Sequence, residues 1–204
     1  SFGQLKNHID YLTGLNPALP VHTVSVSKGY CIPGDWLEPN ENWPGGLDRA
    51  ARQIFRHGYR AGIWTAPFIV SAESQLYRQH PNWVIKDFNG EPLPEKVDEE
   101  GLFYALDLSH SAVKRYLSRV FRTLRKMGFI FFETGYLECG LKDSFRVRRA
   151  SPGKSSVQVL RDALQIIRDE IGEGSLWMAS QTVYAPVTGF ADIVKLGNAC
   201  HRGW

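Results

Sequence analysis

Short apolar segments alternate with amphipathic segments along most of this 204-residue chain, and this alternation limits the fold more than any other feature. The run GFIFFETGYL (128–137) is almost wholly apolar at its start, which is typical of a strand covered on both faces. Strands that alternate with helices favour βαβ units around a parallel sheet. Runs rich in β-forming residues predict five strands, within 22–31, 61–70, 128–137, 175–180 and 191–197.

Three segments between these runs follow helical periodicity. The apolar residues of segment 110–128 recur at i, i+4, i+7 and i+11, which is the spacing of one helix face. Segment 155–172 repeats the pattern and ends on a glycine, and the shorter segment 47–58 does the same. We expect Ser109 to cap the first of these helices. The polar segment 82–104 predicts a long loop after a strand.

The fold that these elements predict is a TIM-type (β/α) barrel. No predicted strand is followed by GxGxxG or GxxxxGK[ST], so the strongest signal for a nucleotide-binding open sheet is missing. Eight strands are needed to close such a barrel, and the sequence predicts five to six. We therefore expect one incomplete barrel-like domain over 1–204. It would be a fragment, a reduced barrel, or part of a barrel completed by another copy or another chain.

Composition limits the partners of this domain. A formal net charge of +3 does not favour nucleic-acid binding, for which a strongly basic domain is expected. No window approaches the ~18 consecutive apolar residues of a membrane span, and the first residues lack a signal-peptide pattern, so we expect a cytoplasmic protein. The three cysteines are scattered and lack metal-ligand spacing. We expect neither a metal nor a cofactor.

In a barrel, functional side chains come from the carboxyl ends of the strands and the loops that follow them. The loop after the first predicted strand supplies two candidates, Asp35 and Trp36. Read in chain order, the strand ends supply Ser27, Lys28, Trp64, Glu133, Gly135, Tyr136, Ser180, Lys195 and Ala199.

Four motifs in collinear order resemble glycoside hydrolase family 36, the α-galactosidase clan of retaining enzymes built on (β/α)8 barrels. They are GDW with WPGGL behind it, GIWTAPF, SQLYRQHP and LDLSHSAV. The resemblance implies a carbohydrate ligand. It also implies sugar contacts for residues at the strand ends and the first loop, namely Asp35, Trp36, Trp64, Ser27, Ser180 and Lys195.

The departures from the family pattern fall on its carboxylates. The resemblance places Gly135 at the nucleophile position and Ala199 at the acid/base position, and Ser27 and Lys28 where the family has a pair of Asp. Retaining hydrolysis needs two carboxyl groups ~5–5.5 Å apart. We therefore expect this chain to hydrolyse α-galactosides poorly or not at all.

Three alternatives stay open. Glu133 precedes Gly135 by two residues on the same face, so it is the best substitute carboxylate, ahead of Glu138, Asp35 and Asp143. Lys28 would face Glu133, either as an ion pair or as a nucleophile toward carbonyl substrates in an enzyme of different chemistry. The third alternative is a fragment or an engineered scaffold without a ligand. The aromatic residues Trp36, Trp43, Trp64, Trp83 and Tyr136 either stack on a sugar or pack the core.

Overall fold

The computed structural model describes residues 1–15, 20–95, 101–142, 147–180 and 182–195. The first elements are α1 (Phe2–Leu15), β1 (Thr23–Val26), α2 (Gly46–Arg56), β2 (Arg60–Thr65), β3 (Ile69–Ser71) and α3 (Gln75–Gln79). They are followed by β4 (Pro94–Glu95), β5 (Phe103–Ala105), α4 (Ser111–Lys126), β6 (Phe131–Thr134), α5 (Ser156–Ile171), β7 (Leu176–Ala179), α6 (Tyr184–Val187) and β8 (Ile193–Val194). Two short 3₁₀ turns cover Pro81–Trp83 and Leu137–Gly140.

The main sheet has five parallel strands in the order β1-β2-β6-β7-β8. Ile63 in β2 pairs with Val26 on one side and with Phe132 on the other. Each predicted strand overlaps one strand of this sheet, and helices α2, α4 and α5 occupy the three predicted helical segments. The prediction of an α/β fold around a parallel sheet is confirmed. The extent of one domain over 1–204 stays a prediction.

The segment between β2 and α4 is more ordered than a loop. Strands β3, β5 and β4 form a separate antiparallel sheet in that order. The prediction of a long loop over 82–104 is therefore wrong for part of that segment. Strands of two and three residues are too short to show an alternating pattern, so no periodic signal predicts them.

The two faces of the main sheet have different surroundings. Phe132 contacts the ring of Phe121 in α4, and Trp177 lies beneath the guanidinium of Arg168 in α5. These side chains face the helices and are buried. The neighbouring positions along the strands point the other way. We call the side away from the helices the inner face. It carries Ser25, Gly62, Phe131 and Leu176 in register on adjacent strands.

Gly62 allows close packing on the inner face. A Cβ atom at this position would lie 2.8 Å from Cδ1 of Phe131 and 3.0 Å from Cβ of Ser25. Both distances are too short for ordinary carbon contacts. Gly62 therefore lets the side chains of β1 and β6 approach across β2.

Capping of α4 differs from the prediction. Nδ1 of His110 accepts the backbone N–H of Ala112 at 3.1 Å, so His110 is the cap. The hydroxyl of Ser109 instead donates to Asp107 at 2.6 Å. The prediction that Ser109 caps α4 is wrong, because its hydroxyl donates to Asp107 and its oxygen accepts the N–H of Ser151 instead of a helix N–H.

Asp107 joins β5 to a distant loop. Its Oδ1 accepts the backbone N–H of Ser109 at 2.9 Å as well as the hydroxyl, and its Oδ2 accepts the N–H of Ala150 at 2.6 Å. The hydroxyl of Ser109 also accepts the N–H of Ser151 at 3.0 Å. Since Asp107 is only 3% exposed, these hydrogen bonds replace the water that the carboxylate loses.

None of the helices in the described ranges is both long and apolar enough to cross a membrane.

We expect Asp107→Ala to lower the free energy of unfolding by about 2–3 kcal/mol, because several buried donors lose their acceptor. Urea denaturation followed by circular dichroism measures this loss. Asp87→Ala is the matched control, since Asp87 accepts two backbone N–H groups in a partly exposed turn. It should cost about 0.5–1 kcal/mol. Equal losses in the two variants would contradict the buried anchoring role of Asp107.

Candidate functional site

The carboxyl ends of the parallel strands lie at one edge of the main sheet. Hydrogen bonds continue past the ends of the strands: Gly135 N–H donates to the Thr65 carbonyl, and Ser180 N–H donates to the Thr134 carbonyl, both at 2.8 Å. Lys195 N–H donates to the Ala179 carbonyl, also at 2.8 Å. The pairing thus holds the backbone of each terminal residue against its neighbouring strand.

Most of the residues predicted for the site share this edge and the inner face. Trp64 pairs in register with Glu133, and Ser180 and Lys195 each follow an inner-face residue by two positions. Ser27 follows Ser25 in the same way. We call these residues the edge site: Ser27, Trp64, Glu133, Gly135, Ser180 and Lys195.

Glu133 is the central charged group of the edge site. Burial raises the pKa of its carboxyl, and the charge of Lys195 and a hydrogen bond with the hydroxyl of Ser180 partly oppose that effect. The net direction is upward, so loss of hydration outweighs both favourable contacts. The structure therefore groups a partly buried carboxyl, a hydroxyl and an ammonium on adjacent strands.

The cation that acts on Glu133 is Lys195, a contact that the sequence reasoning did not single out. Lys28 is exposed and follows the inner-facing Ser27 by one residue, so it is out of phase with Glu133. The predicted pairing of Lys28 with Glu133 stays a prediction. The order of the strands could have indicated Lys195, since β8 lies as far from β6 as β1 does.

Aromatic rings pack behind the edge site. Trp64 meets Trp36 edge to face at a centroid distance of 5.9 Å, and Tyr136 at 6.4 Å. Trp36 is 2% exposed and Trp64 is 7% exposed. Trp36 thus packs in the core, and its predicted contact with a sugar stays a prediction. Trp64 presents little ring surface, although it lies on the inner face.

Tyr136 has an unusual backbone conformation. Among the described residues it alone has a positive φ without being glycine, with φ 55° and ψ 34°. Bulky residues rarely adopt this left-handed conformation, and such strain is concentrated at functional sites. Tyr136 directly follows Gly135, so the strained residue lies where the nucleophile position was inferred. Nothing in its residue type signalled this conformation.

Asp35 has a capping role in the structure. Its Oδ2 accepts the backbone N–H of Gln75 at 2.8 Å, and its Oδ1 accepts that of Leu76 at 3.0 Å. Both groups belong to the first turn of α3, whose N-cap is Ser74. The carboxylate of Asp35 therefore fixes α3, and a contact with a sugar stays a prediction.

Two predicted positions lie outside the described residues: Ala199 and Asp143. Among the residues that the structure describes, no three His, Cys, Asp or Glu side chains are close enough together to hold a metal ion.

A parallel sheet packed on helices, with polar side chains converging at the carboxyl edge, is the arrangement found in proteins of the (β/α)-barrel class and in open α/β sheets. The Melibiase family model matches residues 29–131, just over half of the chain. The chain belongs to the melibiase family.

Relatives of known activity support this assignment. The α-galactosidase AgaA of Geobacillus stearothermophilus is 42% identical over 85 residues, which cover 41% of this chain and 11% of AgaA. The A type blood α-D-galactosamine galactosaminidase of Flavonifractor plautii is 30% identical over 129 residues, covering 59% of this chain and 12% of the enzyme. The aligned segments thus span about a tenth of the length of these relatives.

Solved structures show the same fold. The α-galactosidase TtGalA from Thermus thermophilus, in complex with stachyose, superposes with a TM-score of 0.82 at 26% identity. The superposition covers 95% of this chain and 39% of TtGalA. A family 36 α-galactosidase, AgaA from Geobacillus stearothermophilus, has a TM-score of 0.67 at 19% identity, covering 88% of this chain and 25% of that chain. The resemblance to glycoside hydrolase family 36 is confirmed, and the sheet corresponds to part of its barrel domain.

We expect Glu133→Gln to stabilise the chain at about pH 7 and to have little effect at about pH 4. The pKa of Glu133 is raised by burial, so the folded state binds this proton more tightly than the unfolded state. The protonated carboxyl therefore favours the folded state at low pH. This stability is lost as the pH rises from the ordinary pKa of the carboxyl through its raised pKa. Urea denaturation at both pH values measures the difference.

Lys195→Met is the matched variant for this test. Removing the cation raises the pKa of Glu133 further, so Lys195→Met should lose more stability than the parent between about pH 4 and about pH 7. The opposite result would be a Glu133→Gln variant that is less stable than the parent at about pH 7 and equally stable at about pH 4. It would show that the contact with Lys195 stabilises the ionised carboxyl more than burial destabilises it.

We expect Asp35→Ala to lower the free energy of unfolding by about 1 kcal/mol, because two backbone donors of α3 lose their acceptor. Asp35→Asn retains one carbonyl oxygen and should lose about half as much. Thermal denaturation compares the two variants. An unchanged melting temperature in Asp35→Ala would contradict the capping role.

Proposed function

We propose that this chain is a carbohydrate-binding member of the melibiase family that does not hydrolyse α-galactosides. One observation carries the proposal: within the described residues, the edge site contains a single carboxyl group, Glu133. Gly135 stands at the nucleophile position that the family resemblance implies. Retaining hydrolysis needs a pair of carboxyl groups about 5–5.5 Å apart.

Glu133 is poorly suited to replace both acids. Burial raises the pKa of Glu133, so this carboxyl ionises less readily than an exposed one, and a nucleophile must be ionised when it attacks the anomeric carbon. The neighbouring hydroxyl of Ser180 acts on this carboxyl and also donates to the Thr134 carbonyl at 3.2 Å. A single carboxyl cannot attack the sugar and protonate the leaving oxygen in the same step. The site therefore supports binding better than bond cleavage.

The edge site provides groups that can bind sugar hydroxyls. Ser27 and Ser180 carry hydroxyls, Lys195 carries a donor, and Glu133 carries an acceptor. Trp64 lies next to Glu133 in register and, at 7% exposed, offers a small apolar surface. The Thermus thermophilus relative was solved with stachyose. Galactosyl oligosaccharides such as stachyose are therefore the ligands that we propose for this chain.

Calorimetry with stachyose tests sugar binding. We expect weak binding to the parent chain, and loss of the binding heat in Trp64→Ala and in Lys195→Met, because both remove edge-site contacts. Trp83→Ala is the matched control, since Trp83 packs on His80, away from the main sheet, and should leave binding unchanged. Circular dichroism confirms that each variant is folded. No heat from the parent at saturating stachyose would contradict sugar binding.

Release of nitrophenol from p-nitrophenyl α-D-galactopyranoside tests the absence of hydrolysis. We expect no release above the rate without protein, and no change in Glu133→Gln. Removing a catalytic carboxyl typically lowers the rate by several powers of ten. Clear turnover by the parent that disappears in Glu133→Gln would show that Glu133 does replace a missing acid.

A further inference from the structure

Helix α4 has an outer face built from basic side chains. Its 16 residues include six Lys or Arg and no Asp or Glu. Four of the basic residues are exposed and recur at i, i+4, i+7 and i+11, on the side opposite the buried apolar residues of the helix. We call these four residues the α4 ridge: Arg115, Arg119, Arg122 and Lys126.

Acidic neighbours compensate only one end of the α4 ridge. Glu170 in α5 accepts from Nε of Arg122 at 2.8 Å and from its Nη2 at 2.5 Å. The hydrogen bond with Arg122 is the main cause that lowers the pKa of Glu170, and the charge of Lys126 lowers it as well. In the described part of the chain, no carboxylate lies within 4.0 Å of the guanidinium of Arg115 or Arg119.

Arg115 and Arg119 are separated by four residues, so their like charges disfavour the helix that carries them. Helix α4 could have relieved this repulsion with one acidic residue on its exposed face, and it has none. An external carboxylate would relieve it instead. Guanidinium groups bind carboxylates through two parallel hydrogen bonds, which suits arginine better than lysine for this contact.

A groove of ≈ 590 Å³ runs beside the ridge between α4 and α5. Arg115 and Arg119 border one side, Asp169 and Glu170 border the other, and Ile166 lies between them. The two walls thus have opposite charges. A uniformly negative polymer or membrane surface would be repelled by the α5 wall, whereas a folded protein can present a different charge to each wall.

We propose that the α4 ridge and this groove bind the surface of another protein, with its carboxylates over Arg115 and Arg119. Two carboxylates one helical turn apart, about 6 Å along a facing helix, match the spacing of these arginines. The ridge lacks exposed aromatic side chains for stacking on bases and lacks apolar side chains for insertion into lipid. The small net charge of +3 also disfavours a nucleic-acid partner.

A synthetic alanine-based helical peptide with one pair of glutamates, at i and i+4, tests the proposal. The pair matches Arg115 and Arg119 and places no negative charge against Glu170. Fluorescence anisotropy measures its binding to the full chain. We expect Arg115→Ala/Arg119→Ala to weaken binding by about tenfold or more. Arg56→Ala/Arg60→Ala is the matched control, because it removes the same charge from exposed positions at α2 and β2 and should leave affinity unchanged.

Three outcomes would overturn the proposal. The first is equal loss of affinity in both double variants, which would show attraction by net charge alone. The second is equal affinity for a peptide of the same composition with its glutamates scattered around the helix. The third is tighter binding of a duplex DNA, or of vesicles containing phosphatidylserine, than of the patterned peptide.

Discussion

The parallel pairing of β1-β2-β6-β7-β8 determines the rest of the structure. Because each strand is held in register, a two-residue period assigns every side chain either to the helices or to the inner face. Backbone bonds at Gly135, Ser180 and Lys195 extend this pairing to the ends of the strands. A slip of one residue in β6 would turn Glu133 toward α4 and separate it from Ser180 and Lys195.

The strands of the main sheet and the three long helices could be predicted from the sequence, because buried faces impose strong periodicity. Features without periodicity could not be predicted. The strands β4 and β5 are two and three residues long, and Ser109 does not cap α4 because its hydroxyl bonds Asp107 and Ser151. Such choices depend on which neighbour takes a hydrogen bond in three dimensions.

The candidate site, like the fold, could be predicted from the sequence only in part. The strand-end positions were identified from the sequence, and the structure brings the six edge-site residues to one edge and one face. Their contacts depend on the order and phase of the strands, so the charge acting on Glu133 comes from Lys195. The loop residue Asp35 was grouped with the site, but its carboxylate holds the first turn of α3. Chain proximity to a strand end does not establish where a carboxylate is used.

The left-handed backbone of Tyr136 has a consequence for how the segment after β6 can tolerate substitution. The chain leaves β6 through a left-handed residue whose ring meets Trp64 edge to face, at a position where glycine is the usual choice. Because that conformation is strained, the packing around the ring must hold it in place. We expect substitutions in the following segment to leave this point of departure unchanged.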